Sequence, residues 1–270
     1  MKRPKYLDFA ATTPVDPEVE AIVLHYMREE FGNAGSRTHE YGAAAKKAVQ
    51  FAREQVARVV SASPDEVIFT SGATESNNLA LLGLREHAEK TGKKHLICSS
   101  IEHKAVLEPL QYLEEHHGFS LDLVPCDPSG RVDPQVVCSL IREDTLLISI
   151  MQVNNETGII QPIQEICEIL EDKDIFFHVD AAQGFGKLIE PLQNPRIDLL
   201  SISGHKLYAP KGVGALISRK RNFRRPPIKP LMFGGGQERG LRPGTLAVPL
   251  IVGLGKAAEL QSSRVEEWTK

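Results

Sequence analysis

The chain is poor in several things, and each scarcity closes off a class of function. Four cysteines occur in 270 residues, Cys98, Cys126, Cys138 and Cys167, with no CxxC pair and no His/Cys cluster at zinc spacing. That argues against a disulfide scaffold and a structural metal, suits a reducing compartment, and leaves each cysteine as a small core residue. The longest apolar run, LAVPLIVGLG at 246–255, holds a proline and two glycines and falls far short of the roughly 20 residues a membrane span needs. Neither sign of charge dominates: 32 Lys and Arg stand against 35 Asp and Glu, a formal net charge of −3. Bulk attraction to nucleic acid or an anionic membrane is therefore absent, and a small-molecule ligand is expected instead. The N-terminal stretch MKRPKYLDFAATTP has basic residues with no apolar segment behind them, so no secretory leader and a cytoplasmic location are expected. Repeats at solenoid periods and low-complexity tracts are missing too.

What is present is an ordinary globular composition, 41% hydrophobic and 25% charged, enough for one large core or two smaller ones. DEVIFTS (65–71), KKHLICSS (93–100), DTLLISIMQV (144–153), DIFFHVD (174–180), IDLLSIS (197–203) and GVGALIS (212–218) have the β-branched, apolar character of buried strands. Between them ATESNNLALLGLREHAEKTG, HKAVLEPLQYLEEHHG and PIQEICEILEDK repeat apolar residues at three and four, which predicts helices. Alternation of strand and helix predicts an α/β fold with a mostly parallel sheet, whose ligands gather at the carboxyl ends of the strands. The basic run SRKRNFRRPPIKP (218–230) reads as a solvated turn, with an anionic-partner patch as the alternative. GLGKAA (253–258) satisfies a dinucleotide-binding spacing but lacks the βαβ context such a site requires.

Taken in order, the strand ends carry chemistry. SGATESNN (71–78) opens a helix with small residues: Gly72 permits close approach, free amides with the helix dipole attract phosphate, and Thr74 adds a hydroxyl, though such residues also serve as plain caps. His103 follows the next strand, where a capping or core histidine is the ordinary alternative, and Asn155 follows the third, where amides also form turns. Asp180 closes an apolar strand, costly unless paired, with Gln183 three residues on; a turn-capping aspartate is the plainer account. Ser203, Gly204, His205 and Lys206 follow the fifth, where burial lowers a lysine pKa toward that of a Schiff-base nucleophile, against the usual fate of a lysine in solvent. One ligand uses all five ends: pyridoxal 5'-phosphate, whose aldehyde needs a lysine, whose pyridine nitrogen needs a carboxylate, and whose phosphate needs an amide nest.

At this point the motifs are recognisable. YLDFAATTPVDPEV, FGNAGSRTHEYG, VIFTSGATESNN, IEHKAVL, VNNETG, HVDAAQGFGK, SISGHKLYAPKGVGAL and GGGQERGLRPGT follow in order over nearly the whole chain, which resembles the cysteine desulfurases of the NifS and IscS type. These belong to the class V aminotransferase group of fold-type-I pyridoxal-phosphate enzymes. The resemblance implies a three-layer αβα large domain with a mostly parallel mixed sheet, and a homodimer. It implies that Lys206 bonds covalently to the cofactor aldehyde, Asp180 pairs with the pyridine nitrogen, and His103 stacks on the ring and handles protons. Asn155 and Gln183 contact the ring hydroxyl and substrate side, Ala73, Thr74, Ser203 and His205 hold the phosphate, and Thr245 reaches the phosphate of the other subunit.

The implied reaction converts L-cysteine to L-alanine and passes sulfur to an acceptor such as an iron-sulfur scaffold protein. The resemblance departs at the C-terminus, because the family's smaller domain, with its mobile cysteine loop and substrate-gripping arginine, has no counterpart in the sequence. The expected division is an N-terminal arm (1–15), a cofactor-binding large domain (16–260) and the start of a truncated C-terminal domain (261–270). A chain of this kind is expected to bind cofactor but not to complete desulfuration alone. A related class V lyase or transaminase, such as a selenocysteine lyase, and a non-catalytic truncated chain are the alternatives.

Overall fold

The computed structural model describes residues 4–268. Seven short strands form one sheet: β1 (Val67–Thr70), β2 (His95–Ser99), β3 (Ser120–Val124), β4 (Thr145–Ser149), β5 (Phe176–Asp180), β6 (Leu199–Ser203) and β7 (Gly214–Ser218). Their spatial order is β1-β7-β6-β5-β4-β2-β3. β2 pairs in parallel with β3 and β4, β4 with β5 and β5 with β6, while β7 runs antiparallel to both β6 and β1. The predicted mostly parallel mixed sheet is therefore what forms. Strands buried on both faces need apolar residues at successive positions, and the run of buried residues through β1, β2, β4, β6 and β7 satisfies that.

Helices α1 (Pro17–Arg28), α2 (Glu40–Val59), α3 (Ala73–Leu82), α4 (Arg85–Thr91), α5 (Lys104–His117), α6 (Pro134–Ser139), α7 (Ile163–Leu170) and α8 (Val248–Trp268) cover the sheet. Two separate apolar clusters lie on its two faces. Ile97, Ile148, Phe177, Val179, Leu200 and Ile217 pack with α1, α2, α7 and α8, whereas Leu96, Cys98, Leu147, Leu199 and Leu216 pack with α3, α4 and α5. Alternate side chains of one strand feed opposite clusters, which makes the architecture three-layered.

Particular residues account for departures from the expected elements. The helix predicted over 73–92 is two helices, because Gly83 admits the backbone of Lys229, whose N–H bonds the Gly83 carbonyl at 2.9 Å. A Cβ there would stand 3.0 Å from the Lys229 carbonyl oxygen. β3, SLDLV, is a half-exposed edge strand without the apolar run that identifies the others. The GLGKAA stretch lies inside α8, and Gly255 allows that helix to close on α2, where a Cβ would lie 2.6 Å from Ala52 Cα. The spacing is thus a packing device and not a phosphate loop. The basic run is only partly solvated: Arg219 is buried, donating to the Val60 and Leu192 carbonyls, and Arg225 and Lys220 share Asp65.

The outer edge of β1 is sealed by side chains. Glu238 Oε2 accepts from Phe69 N–H at 2.7 Å, and Arg53 and Arg239 donate to the Val67 carbonyl at 2.6 and 2.9 Å. Arg53 and Glu238 also form a buried two-pronged ion pair at 2.6 and 2.8 Å. Glu238 and Arg239 both have positive φ, 46° and 60°, so these contacts hold two non-glycine residues in a left-handed turn. Residues 269 and 270 of the 261–270 segment, and 1–3 of the arm, lie outside the described residues. Among the described residues no helix is long and apolar enough to cross a membrane.

Candidate functional site

The carboxyl ends of β1, β2, β4, β5 and β6 open into a cavity of about 390 Å³. Ala73, Thr74, His103, Asn155, Asp180, Gln183, Ser203, His205 and Lys206 all line it. Nine of the ten positions singled out in the sequence are thus brought together, although they are drawn from across the stretch between Ala73 and Lys206. Thr245 is not among them: it is exposed on the loop between Gln237 and α8.

Asp180 forms the floor. Its Oδ2 accepts from Asn77 Nδ2 at 2.7 Å and its Oδ1 from Ala182 N–H at 2.9 Å. The turn-capping role and the buried-acid role therefore coexist in one carboxylate. Burial raises its pKa, opposed by those two hydrogen bonds and by the positive fields of His103 and Lys206. Two residues back on the same face, buried His178 bonds Ser149 Oγ at 2.8 Å and Ser201 Oγ at 3.0 Å, and burial drives its pKa down to about 3. Beneath Asp180 the sheet is therefore polar but carries no positive charge at neutral pH.

One end of the cavity is the N-terminus of α3. Its cap residue Gly72 has φ 157° and ψ −179°, a conformation reserved almost wholly for glycine, and supplies no side-chain cap. Gly214 of β7 presses against it: a Cβ at Gly214 would lie 2.6 Å from Gly72 Cα. The first intrahelical bond is from Ser76 N–H to the Gly72 carbonyl, so the amides of Ala73 and Thr74 remain available as donors. Glu75 also lines this end; burial acts to raise its pKa, but hydrogen bonds from Arg242 and Ser71 outweigh it and hold it below the usual carboxylate range. Burial lowers the pKa of His205, aided by Lys206 and Lys211, and its Nδ1 lies 3.2 Å from Thr12 Oγ1.

At the mouth, Lys206 is half-buried, and burial pushes its pKa below the ordinary lysine value, while Asp8 and Asp180 pull it back up. Its Nζ donates to the Ala10 carbonyl, as does Gln183 Nε2 at 3.0 Å. The N-terminal arm is stitched down beside it, with Thr13 N–H bonding the His205 carbonyl at 2.9 Å and Tyr208 N–H bonding Thr13 Oγ1 at 2.9 Å.

His103 caps α5, its Nδ1 accepting from Ala105 N–H at 3.0 Å, so the neutral ring carries its proton on Nε2. Asn155 Nδ2 is turned to Glu156 Oε1 at 2.7 Å. The organiser of that loop is its neighbour, buried Asn154, whose Oδ1 accepts from Glu156 and Thr157 amides and whose Nδ2 donates to the Ile101 carbonyl.

Sequence reasoning passed over Asn77, Glu75, Asn154 and Glu102. Glu102 is buried beside His103, its Oε1 accepting from Ser99 Oγ and Met151 N–H, both at 2.6 Å, and burial pushes its pKa up to about 8. Only Glu102 follows a strand end closely, three residues after β2; Glu75 and Asn154 follow theirs by five residues and Asn77 by seven, so position alone offered little signal. None of the four cysteines lines the cavity, and burial raises the Cys167 thiol to about 12. No cluster of His, Cys, Asp and Glu able to hold a metal ion occurs among the described residues.

The comparisons with known proteins agree with this geometry. The family model described as aminotransferase class-V matches residues 5–268. The chain is 48% identical over 267 residues to cysteine desulfurase IscS from Rickettsia massiliae (strain Mtu5), covering 99% of this chain and 64% of that relative. It therefore spans 64% of the length of this curated relative. DndA from Streptomyces lividans matches in structure with TM-score 0.90 at 58% identity, over 98% of this chain and 74% of that one. SspA in complex with cysteine matches with TM-score 0.87 at 45% identity, over 95% and 72%. A family match along almost its entire length, joined to a cavity built from five strand ends, places the chain in the class V aminotransferase family of pyridoxal-phosphate enzymes.

Proposed function

We propose that this chain is the cofactor-binding part of a cysteine desulfurase, which converts L-cysteine to L-alanine and hands the sulfur to an acceptor protein such as an iron-sulfur scaffold. The observation that carries the reading is the convergence of Lys206, Asp180 and the uncapped start of α3 on one cavity. The similarity to proteins named cysteine desulfurase IscS, and to SspA, whose structure is titled as a complex with cysteine, supports the substrate.

The residues present fit pyridoxal phosphate. Gly72 lines the cavity without a side chain, and a Cβ there would stand 4.0 Å from Ser203 Oγ on the same wall; the Ala73 and Thr74 amides offer donors to an anion, and Asp180 is a buried carboxylate held at a fixed orientation. Bound there, the group supplies an aldehyde that condenses with amines and a protonated ring that accepts electrons from the substrate α-carbon. Lys206, on the cavity wall, would hold the aldehyde through Nζ and is the residue placed to take the proton from the substrate α-carbon. Asp180 would keep the proton on the pyridine nitrogen as a carboxylate, a charged form that the hydrogen bonds from Asn77 and Ala182 support against the opposing effect of burial. His103, lining the same cavity with Nδ1 tied to Ala105 N–H, would face the ring and offer Nε2–H for proton exchange. Gln183 and Asn155 orient the ring hydroxyl and substrate side, and Ser203 and His205 join α3 around the phosphate. Thr245, exposed and outside the lining of its own cavity, serves the phosphate in a second copy of a homodimer. The thiol that takes the sulfur comes from outside the described residues, since the cavity wall holds none.

The test is the visible absorption spectrum of the purified protein after addition of pyridoxal phosphate, followed by borohydride reduction and peptide mapping. A yellow protein reduced to a stable adduct on Lys206 is expected. A reducible adduct on another lysine, or none at all, refutes the assignment. Sustained alanine and sulfide production by this chain alone would refute the outside thiol.

A further inference from the structure

We infer that Glu75 and Arg242 set the charge of the phosphate end of the cavity, Arg242 neutralising a carboxylate that otherwise stands in the anion site. The inference rests on the cofactor reading above and deepens it. Glu75 is the third residue of α3 and lines the cavity beside the free amides of Ala73 and Thr74. Its Oε1 accepts from Arg242 Nε at 2.8 Å, and its Oε2 accepts from Ser71 N–H at 2.8 Å and from Arg242 Nη2 at 3.4 Å. Both side chains are largely withdrawn from water, with exposures of 19% and 24%.

A carboxylate in the first turn of a helix is favoured by the helix dipole, and the same positive end attracts phosphate. Glu75 and a bound phosphate therefore compete for one partial charge, and two anions in a partly desolvated pocket repel strongly. The planar guanidinium of Arg242 reaches both oxygens and removes that conflict, while Glu75 keeps its hold on Ser71 N–H and so on the turn into Gly72. Arg242 arrives from 167 positions away in sequence and stands three residues before Thr245, so the pair also fastens that loop to the cradle. Both are positioning residues: they shape the field and the turn, and neither is needed for the covalent bond to Lys206.

The test compares pyridoxal phosphate with pyridoxal, the same ring without the phosphate, by absorbance titration of cofactor-free protein. Thermal unfolding of each variant is recorded alongside. Arg242→Met is expected to lower the preference for the phosphorylated ligand about tenfold, the scale of a well-placed charge at a helix N-terminus. Glu75→Gln in the Arg242→Met background is expected to restore most of that preference, because the repelling charge is gone. Glu75→Gln alone is expected to raise it, since Arg242 is then free to face the phosphate. Equal losses for both ligands in Arg242→Met, or no recovery in the double variant, overturn the inference and leave an ordinary salt bridge. If Arg242→Met melts too low to titrate, Glu75→Gln decides by itself: a fall or no change in preference overturns the inference. A wild-type protein that binds neither ligand overturns the cofactor reading instead.

Discussion

Asn77 Nδ2 donates to Asp180 Oδ2 at 2.7 Å, and both residues are buried. Asn77 stands one turn into α3 from Ala73, so a single helix both opens the phosphate cradle and holds the acid on the cavity floor. The spacing between the two ends of the site is set by rigid helix geometry.

Asn77→Ala leaves a buried carboxylate short of one donor. A loss of about 1.5–3 kcal/mol is expected, the range for hydrogen bonds to charged groups. The Asp180 pKa rises further, because one of the influences lowering it is removed. Urea unfolding of the variant measures the first effect and the pH dependence of cofactor absorbance the second; an unchanged midpoint would refute the pairing.

Glu102 gives a pH signature. Burial pushes its pKa in the folded protein up to about 8, above the ordinary 4.5 of a glutamate in water, so the folded state retains a proton that the unfolded state has released. Its contribution is fully present below about pH 4.5 and is lost as pH rises through about 8. Glu102→Gln keeps an acceptor for Ser99 and Met151 without the ionisation. Denaturant unfolding at pH 5 and pH 8 is expected to show a smaller stability drop in the variant than in the wild type, and equal drops would contradict the prediction.

Glu238→Ala strips Arg53 of its partner and leaves Phe69 N–H unpaired at the edge of β1. Removing one member of a buried ion pair typically destabilises by about 3–5 kcal/mol. Thermal unfolding is expected to show a loss of that order. The charge-conserving Glu238→Asp, too short to reach both Arg53 and Phe69, is expected to fall between the two.

Gly214→Ala places a methyl group 2.6 Å from Gly72 Cα. Because the obstacle is backbone, the Gly72 turn has to shift, and affinity for pyridoxal phosphate is expected to fall more than the melting temperature does. Full affinity in a cofactor titration would show that the cradle tolerates a displaced Gly72.

Six strands were legible because a parallel sheet covered on both faces demands unbroken apolar runs, and VIFT, HLICS, TLLIS, FFHVD, LLSIS and GALIS supply them. β3 escaped because an edge strand is relieved of that demand. Candidate residues were legible where a chemically demanding side chain ends an apolar run, as Asp180 and Lys206 do. Their partners were not. Asn77, Arg242 and Ala10 carry no local mark, since what matters is which distant group they face.

By itself, then, the sequence determined the alternation of strand and helix, the strand ends that bear chemistry, and the glycines that permit close approach, because these depend on local periodicity and local sterics. Tertiary structure alone decided that helix α3 unites the cradle with Asp180, that Ala10 meets both Lys206 and Gln183, and that Arg242 answers Glu75 across 167 positions. Charge balance in a desolvated cavity depends on distances in space, and separation along the chain does not encode them.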